Sequence, residues 1–147
     1  MRSRLIACGL AVALGLAIGL ALLPGAARAD DSLYRAFGGR DGLDLIVRDA
    51  IALWQVNPRV KDDFDNINLD RLRIRIVDQL CELTGGPCKY TGRNMHASHK
   101  GLHLNSVKFN AVAEDLQRAM DKAAIPFRTQ NRLIALLAPM RRDIVTR

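Results

Sequence analysis

Three histidines are the residues of this sequence whose type and spacing could support chemistry. They stand at positions 96, 99 and 103, and the chain has no other histidine. Steps of three and four residues would place them on one face of a continuous helix, which suits a transition metal. Gly101 weakens that geometry, however, and no carboxylate lies nearby to complete a zinc site. A zinc site, ordinary surface or buried polar histidines, and a single histidine that ligates haem iron therefore remain as alternatives.

Covalent chemistry has little support in the sequence. The Cys-x-x-Cys-His motif is absent, which excludes covalent attachment of a c-type haem. No nucleophile elbow or nearby pair of cysteine and histidine indicates a catalytic triad. The 3 cysteines are also too few for a disulfide scaffold or a zinc site made of cysteines alone.

Residues 1–29 have the pattern of a secretory signal peptide. Arg2 and Arg4 precede an apolar run over residues 5–23, and the small-x-small triplet Ala27-Arg28-Ala29 follows it. We predict cleavage after Ala29, export across the inner membrane to the bacterial periplasm, and no stable membrane span afterwards. The alternative is a retained transmembrane helix, because a run of this length could cross a bilayer. Cys8 comes too early in the run for a lipoprotein acylation box.

Removing this segment changes the composition of the chain. The whole sequence has 147 residues and a net charge of +7, whereas residues 30–147 form one predicted domain of 118 residues with a net charge of +4. Its surface is therefore ordinary, without a basic arm, and we expect no nucleic-acid partner. Apolar residues make up 49% of the sequence but aromatic residues only 5%, which predicts a folded, mainly aliphatic core.

Cys81 and Cys88 are the two cysteines of the predicted domain. They flank the segment Glu82-Leu83-Thr84-Gly85-Gly86-Pro87. Gly-Gly-Pro forces a turn, so the two sulfurs could meet across it in an oxidising compartment. We predict a disulfide, and two free thiols are the alternative.

Apolar residues recur at steps of three and four residues in four segments, which predicts amphipathic helices. The segments are formed by Leu43, Ile46, Val47, Ala50, Ile51 and Trp54; by Leu69, Leu72, Ile76, Leu80 and Leu83; by Val107, Val112, Leu116, Met120 and Ala123 or Ala124; and by Leu133, Ile134, Leu137, Met140 and Ile144. No run alternates with a period of two. The fold class predicted by this pattern is all-α.

Glycines and prolines predict where these helices stop. A short helix over 33–37 precedes Gly38-Gly39, Pro58 follows the first long helix, and Gly85-Gly86-Pro87 ends the second. Asn105 or Ser106 can cap the third helix, and Ile125-Pro126 breaks it. Pro139 predicts a kink in the last one. The polar stretch 89–104 reads as a long loop with one helical turn, and all three histidines lie in it.

Together, several short motifs make the chain similar to the bacterial group I truncated haemoglobins. The motifs are Leu33-Tyr34 with Gly38-Gly39; Asn57-Pro58-Arg59 with Phe64; Gly85-Gly86-Pro87 with Tyr90-Thr91-Gly92; Met95 with His99; Phe109; and Ala138-Pro139. The resemblance runs from Ser32 to Val145. Each motif alone is weak, whereas their combination and order are specific.

The resemblance implies a two-over-two helical sandwich around a non-covalent haem b. His99 matches the proximal iron ligand, and Phe64 matches the phenylalanine that packs flat on the porphyrin. The remaining matches are Met95 and Phe109 on the proximal side, Tyr90 and Arg75 at the haem propionates, and Leu72, Ile76 and Ile51 in the distal pocket. Without the resemblance, the apolar residues among these would be assigned to plain core packing.

The distal positions depart from the family pattern. Many group I members carry a tyrosine and a glutamine that hydrogen-bond bound dioxygen, and the matching residues here are Ile51 and Ile76. Neither has a donor, so we expect fast dissociation of O₂ and smaller effects on CO and NO. No distal residue can ligate iron, which predicts a five-coordinate ferrous haem. Arg75 could still swing inward and supply a donor.

The function expected from the resemblance is reversible binding of a diatomic gas, in a protein of the oxygen-carrier type that is a monomer or a weak dimer. The alternative is an NO dioxygenase or a weak peroxidase that needs an external reductase, because no flavin domain is present. A third interpretation is a helical binding module without haem, in which the histidines are incidental.

Overall fold

The computed structural model describes residues 30–146, which fold into α-helices and short 3-10 helices without a strand in that range. The α-helices are α1 (Ser32–Ala36), α2 (Gly39–Trp54), α3 (Leu69–Leu83), α4 (Met95–His99), α5 (Ser106–Lys122), α6 (Phe127–Leu137) and α7 (Arg141–Ile144). The 3-10 helices are Lys61–Phe64 and Ala138–Met140. The predicted signal peptide and its cleavage site after Ala29 lie outside the described residues. Within 30–146, no helix has the length and apolar character needed to cross a membrane.

The helices pack as two layers around one aliphatic core. α2 lies against both α3 and α5, α5 lies against α6, and α1 packs on α2 and α6. The core contains fully buried residues, including Leu43, Val47, Leu80, Met120 and Leu133. All five belong to the apolar segments that predicted the buried faces of the helices. The prediction of an all-α fold is therefore confirmed. Burying an aliphatic side chain of this size contributes about 1.5–3 kcal/mol, so these stripes are what drives the layers together.

Three helices begin at an asparagine that caps them. The side chains of Asn68, Asn94 and Asn105 accept hydrogen bonds from the third residue after each, at 2.8, 2.8 and 3.0 Å. Such a cap satisfies a backbone N–H that has no partner within the helix. For α5, the cap is thus Asn105 and not Ser106. For α4, it allows a helix of only one turn to form inside a long polar loop.

The predicted breaks occur, and two of them differ in detail. Gly38 adopts φ 79° between α1 and α2, and Gly85 adopts φ 85° after α3. Side chains other than glycine rarely tolerate this region of φ, so these turns depend on glycine. At Pro139, where a kink is predicted, the helix changes to a 3-10 turn over Ala138–Met140 between α6 and α7, and the backbone on both sides stays right-handed helical. α5 ends at Lys122, before the predicted break at 125–126.

The 3-10 helix Lys61–Phe64 was not predicted from the sequence. A single turn with one apolar residue has no periodicity to detect. Tertiary contacts hold it instead: the Lys108 ammonium lies 2.6 Å from an oxygen of Asp63, and the ring of Phe64 packs against the core. This turn is what delivers Phe64 to the side of the core formed by α2.

Candidate functional site

His99 stands at the end of α4 with its ring oriented by the helix itself. Its Nδ1 lies 2.8 Å from the backbone carbonyl oxygen of Met95, one turn earlier. With Nδ1–H donating to that carbonyl, Nε2 keeps its lone pair available. A neutral imidazole held through its other nitrogen in this way is the usual form of a metal-ligating histidine. The half-buried His99 ring therefore has the geometry that ligation requires.

The other two histidines do not join it. His96 and His103 are exposed, and His103 lies beyond α4 with φ 50°. Within residues 30–146, no group of three His, Cys, Asp or Glu side chains is placed to hold a metal ion. A zinc site of several ligands is thus not formed by the described residues. Ligation of a haem iron through His99 alone does not require a group of three such side chains.

The residues predicted to line the distal pocket are apolar and lie on α2 and α3. Ile51 on α2 is buried, with 6% of its surface exposed. Leu72 and Ile76 lie one turn apart on α3 and are half-buried. α2 and α3, the two helices that carry these residues, pack directly against each other. None of the three side chains offers a hydrogen-bond donor or an iron ligand.

Phe64 is positioned by an aromatic stack. Its ring centroid lies 5.3 Å from that of Trp54, and the two rings are inclined by 18°. Trp54 is held in turn by its indole N–H, which donates to the carbonyl of Val112 on α5 at 3.2 Å. The stack fixes the plane of the Phe64 ring, a requirement for packing flat on a planar cofactor. The predicted proximal residues Met95 and Phe109 are both half-buried.

Donors for an anionic group gather at the edge where α3 meets the loop before α4. The Arg75 guanidinium donates to the hydroxyl of Thr91 at 2.8 Å. The neighbouring Tyr90 hydroxyl donates to the carbonyl of Arg93 at 2.7 Å. Arg75 and Tyr90, both predicted at the propionates, are thus brought to the same edge. The Arg75 guanidinium and the Thr91 hydroxyl there match the carboxylates of a cofactor with an apolar body, whereas the single proton of the Tyr90 hydroxyl is already donated to the Arg93 carbonyl.

Gln79 is a residue of this region that sequence reasoning missed. Its side-chain amide lies 3.6 Å from the sulfur of Met95 and 3.7 Å from the sulfur of Met140. It therefore links α3 to α4 and to the 3-10 turn before α7. The available signal was its position on α3, three residues after Ile76 and seven after Leu72, which places it on the same helix face.

The sulfurs of Cys81 and Cys88 lie at bonding distance across the glycine turn, with Cα atoms 5.7 Å apart. The Arg40 guanidinium packs against them, 3.2 Å from the Cys88 sulfur, and also pairs with Asp78 at 2.8 Å. A side chain at Gly86 would collide with the Cys81 sulfur, so the turn needs glycine there for close approach. The two cysteines thus tie the end of α3 to the loop that leads into α4.

Comparison with known proteins assigns the class of this fold. The family of bacterial-like globins matches residues 32–146. The chain therefore belongs to the bacterial-like globin family.

Within that family, the similar proteins are group 1 truncated haemoglobins. The resemblance stated from the sequence is therefore confirmed. The chain is 28% identical to the group 1 truncated haemoglobin of Mycolicibacterium paratuberculosis, over 78% of this chain and 85% of the relative. It is 32% identical to that of Synechocystis, over 65% and 80%. The structure of the truncated haemoglobin of Tetrahymena pyriformis superposes with a TM-score of 0.75 at 27% identity, covering 78% of this chain and 98% of that one.

The residues described above fit the haem that membership of this family implies. His99 presents one free ring nitrogen, the apolar side chains of Phe64, Met95 and Phe109 are half-buried, and the Arg75 guanidinium and the Thr91 hydroxyl stand at one edge. These are the three kinds of contact that a porphyrin with an iron centre and two carboxylates needs. The roles of individual residues toward haem stay predictions.

Proposed function

We propose that this protein holds a non-covalent haem b through His99 and reversibly binds a diatomic gas. The observation that carries the proposal is the hydrogen bond between His99 Nδ1 and the Met95 carbonyl, because it orients the ring and leaves Nε2 for the iron. When bound, the haem supplies an iron with one open position for a small gas ligand. Every other contribution comes from the chain.

The chain would hold the cofactor with three sets of side chains. Phe64 and the half-buried Met95 and Phe109 would provide apolar contact, and Arg75 would provide donors for the carboxylates. Tyr90 would join Arg75 by turning its hydroxyl away from the Arg93 carbonyl. Ile51, Leu72 and Ile76 exclude water from the gas side without ligating the iron themselves. The ferrous protein should therefore be five-coordinate in the absence of gas.

A carrier role fits this pocket better than an enzymatic one. Dioxygenation of NO requires dioxygen to be retained until NO arrives, and the three apolar distal residues offer no donor to retain it. Either NO dioxygenation or peroxidase turnover would also depend on an external reductant. We propose reversible O₂, NO or CO binding as the main activity, with NO dioxygenation as the second candidate.

Haem ligation is tested by the absorption spectrum of the purified protein. We expect a Soret band in the wild type that is lost, or strongly weakened and shifted, in His99→Ala. The matched control is His96→Ala, which removes an exposed histidine of the same helical turn and should leave the spectrum unchanged. A folded wild-type chain that stays colourless when supplied with haem would contradict the proposal, and so would loss of the band in both variants.

The oxidising compartment is a separate proposal that rests on residues 1–29 and on the two cysteines. We expect protein recovered from a bacterial periplasm to begin at Asp30 and to contain no alkylatable thiol, as measured by intact mass after iodoacetamide treatment. Reduction should lower the free energy of unfolding by about 2–3 kcal/mol, because the loop is short. In Cys88→Ser, which cannot form the bond, reductant should have no effect on stability. Retention of residues 1–29, or free thiols in the periplasmic protein, would contradict this proposal.

A further inference from the structure

The surface around α4 concentrates positive charge. Between Glu82 and Glu114 the sequence has no acidic residue, and it has four lysines and arginines. α7 packs against α4 and carries two exposed arginines. We define the basic face by its exposed residues Lys89, Arg93, Lys100, Arg141 and Arg142. Asp143 on α7, which is half-buried, is the one carboxylate on these elements.

The charges of the basic face are not neutralised by ion pairs with neighbouring carboxylates. Nine ion pairs are formed among residues 30–146, and none of them includes a residue of the basic face. The basic residues elsewhere on the described surface are largely paired, as in Arg35 with Asp31 or Lys122 with Asp49. The basic face therefore stands out against surroundings that are close to neutral. Unpaired like charges on one surface raise the local potential and favour a partner of opposite sign.

The basic face adjoins the residues proposed to hold haem. Arg93 lies in the same loop as Tyr90, and its backbone carbonyl accepts a hydrogen bond from the Tyr90 hydroxyl. Lys100 directly follows His99. Thr146, the last residue that the structure describes, is held to this region as well, because its N–H donates to the Leu104 carbonyl at 3.0 Å. A partner seated on the basic face would thus contact the loop and the helix turn that carry His99.

We propose that the basic face docks an acidic one-electron carrier protein that keeps the haem iron reduced. The proposal rests on the proposed function, since reversible binding of O₂ or CO requires the ferrous state. In each encounter the reduced carrier loses one electron and ferric iron becomes ferrous, with no group transferred. Complementary charge steers such encounters and raises association rates by about 10- to 1,000-fold at low ionic strength. An anionic membrane would also be attracted by positive charge, but it would not require that charge to surround the haem-holding loop.

The test compares two double variants of equal charge change. Arg93→Glu/Lys100→Glu reverses two residues of the basic face, and Arg128→Glu/Arg132→Glu reverses two exposed arginines on α6. The probe is reduced flavodoxin, a small acidic one-electron carrier, mixed with the ferric protein in a stopped-flow instrument. We expect the second-order rate of haem reduction at low ionic strength to fall about tenfold or more in the first variant and less than twofold in the second. High salt should remove the difference, because it screens the steering.

Two further measurements separate the possible failures. Binding of oxidised flavodoxin to the isotope-labelled chain, followed by NMR, should shift amides of residues 89–103 and 141–142, whatever gas chemistry the haem performs. Unchanged CO binding in both variants would show that the proposed function survives independently of docking. Equal loss of rate in both variants, amide shifts outside the basic face, or selective binding of that face to vesicles of anionic phospholipid without any effect on reduction would overturn the proposal.

Discussion

Replacing Ile51 with tyrosine should slow the dissociation of O₂ about ten- to a hundredfold. A charge-assisted hydrogen bond to bound dioxygen contributes about 1.5–3 kcal/mol, and each 1.4 kcal/mol corresponds to about a factor of ten. The wild-type pocket lacks this bond, because Ile51, Leu72 and Ile76 have no donor. CO is less polarised, so its dissociation rate should change far less. Flash photolysis and rapid mixing of the ferrous protein measure both rates.

The matched control for this prediction is Ile51→Phe. Phenylalanine fills the same buried position with the same ring and lacks only the hydroxyl. It should therefore reproduce any steric effect of the larger side chain without the slowing of O₂ release. Equal rates for the tyrosine and phenylalanine variants would contradict the hydrogen-bond explanation.

Arg75 and Gln79 on α3 carry side-chain donors that could weaken this expectation, and the Gln79 amide lies toward the sulfurs of Met95 and Met140. A guanidinium that turned inward would supply the missing donor and make O₂ release slow in the wild type. In the structure, however, Arg75 donates to Thr91 at 2.8 Å, toward the loop before α4. That contact holds the charge at the edge of the site. We therefore expect Arg75→Ala to leave O₂ dissociation nearly unchanged.

Removing the Asp115 carboxylate should destabilise the protein by about 2–3 kcal/mol, the cost of leaving a buried polar group without its partner. Asp115 is 1% exposed and accepts a hydrogen bond from the Asn57 amide at 2.6 Å. In Asp115→Ala that amide would stay buried without an acceptor. Urea unfolding at equilibrium measures the loss. Asp115→Asn keeps an oxygen for the amide and should recover most of it.

Glu114→Ala is the matched control on the same helix. Glu114 is exposed, and its bond from the Arg59 guanidinium lowers the pKa of its carboxyl group. A solvent-exposed pair of this kind contributes little to stability, so the variant should unfold at nearly the wild-type urea concentration. Similar losses in Asp115→Ala and Glu114→Ala would contradict a special role for the buried carboxylate.

Asp115→Ala should also make the protein lose haem faster. Asn57 organises the turn after α2, because its carbonyl accepts from the N–H groups of Val60 and Lys61. That turn leads into the 3-10 helix that ends at Phe64. Loosening it should release the ring that stacks on Trp54, so Asp115→Ala is expected to lose haem faster than Glu114→Ala does.

Local pattern was sufficient to predict the helices. The apolar residues of α2, α3 and α5 repeat at the period of a helix, and glycine or proline follows the ends of the predicted segments. Both signals act over a few residues and depend little on the rest of the chain, so they can be read without knowing the fold. The turn at Gly85 and the change of helix type at Pro139 were predictable for the same reason, since each residue restricts or releases its own backbone. Lys61–Phe64 has no repeating pattern, and only its contacts with α5 and the core hold it.

For the candidate site, too, some features follow from the sequence and others only from the tertiary structure. Sequence by itself determined that three histidines share one loop and that His99 matches a family ligand, because identity and spacing are local properties. The bond between the His99 ring and the Met95 carbonyl forms within one turn of α4. Only the tertiary structure decided that Gln79 reaches the sulfurs of two methionines and that Asn57 meets Asp115. Each of these contacts depends on the exact angle at which a side chain leaves a packed helix. That angle is set by the packing of the whole core, which no single segment of the sequence contains.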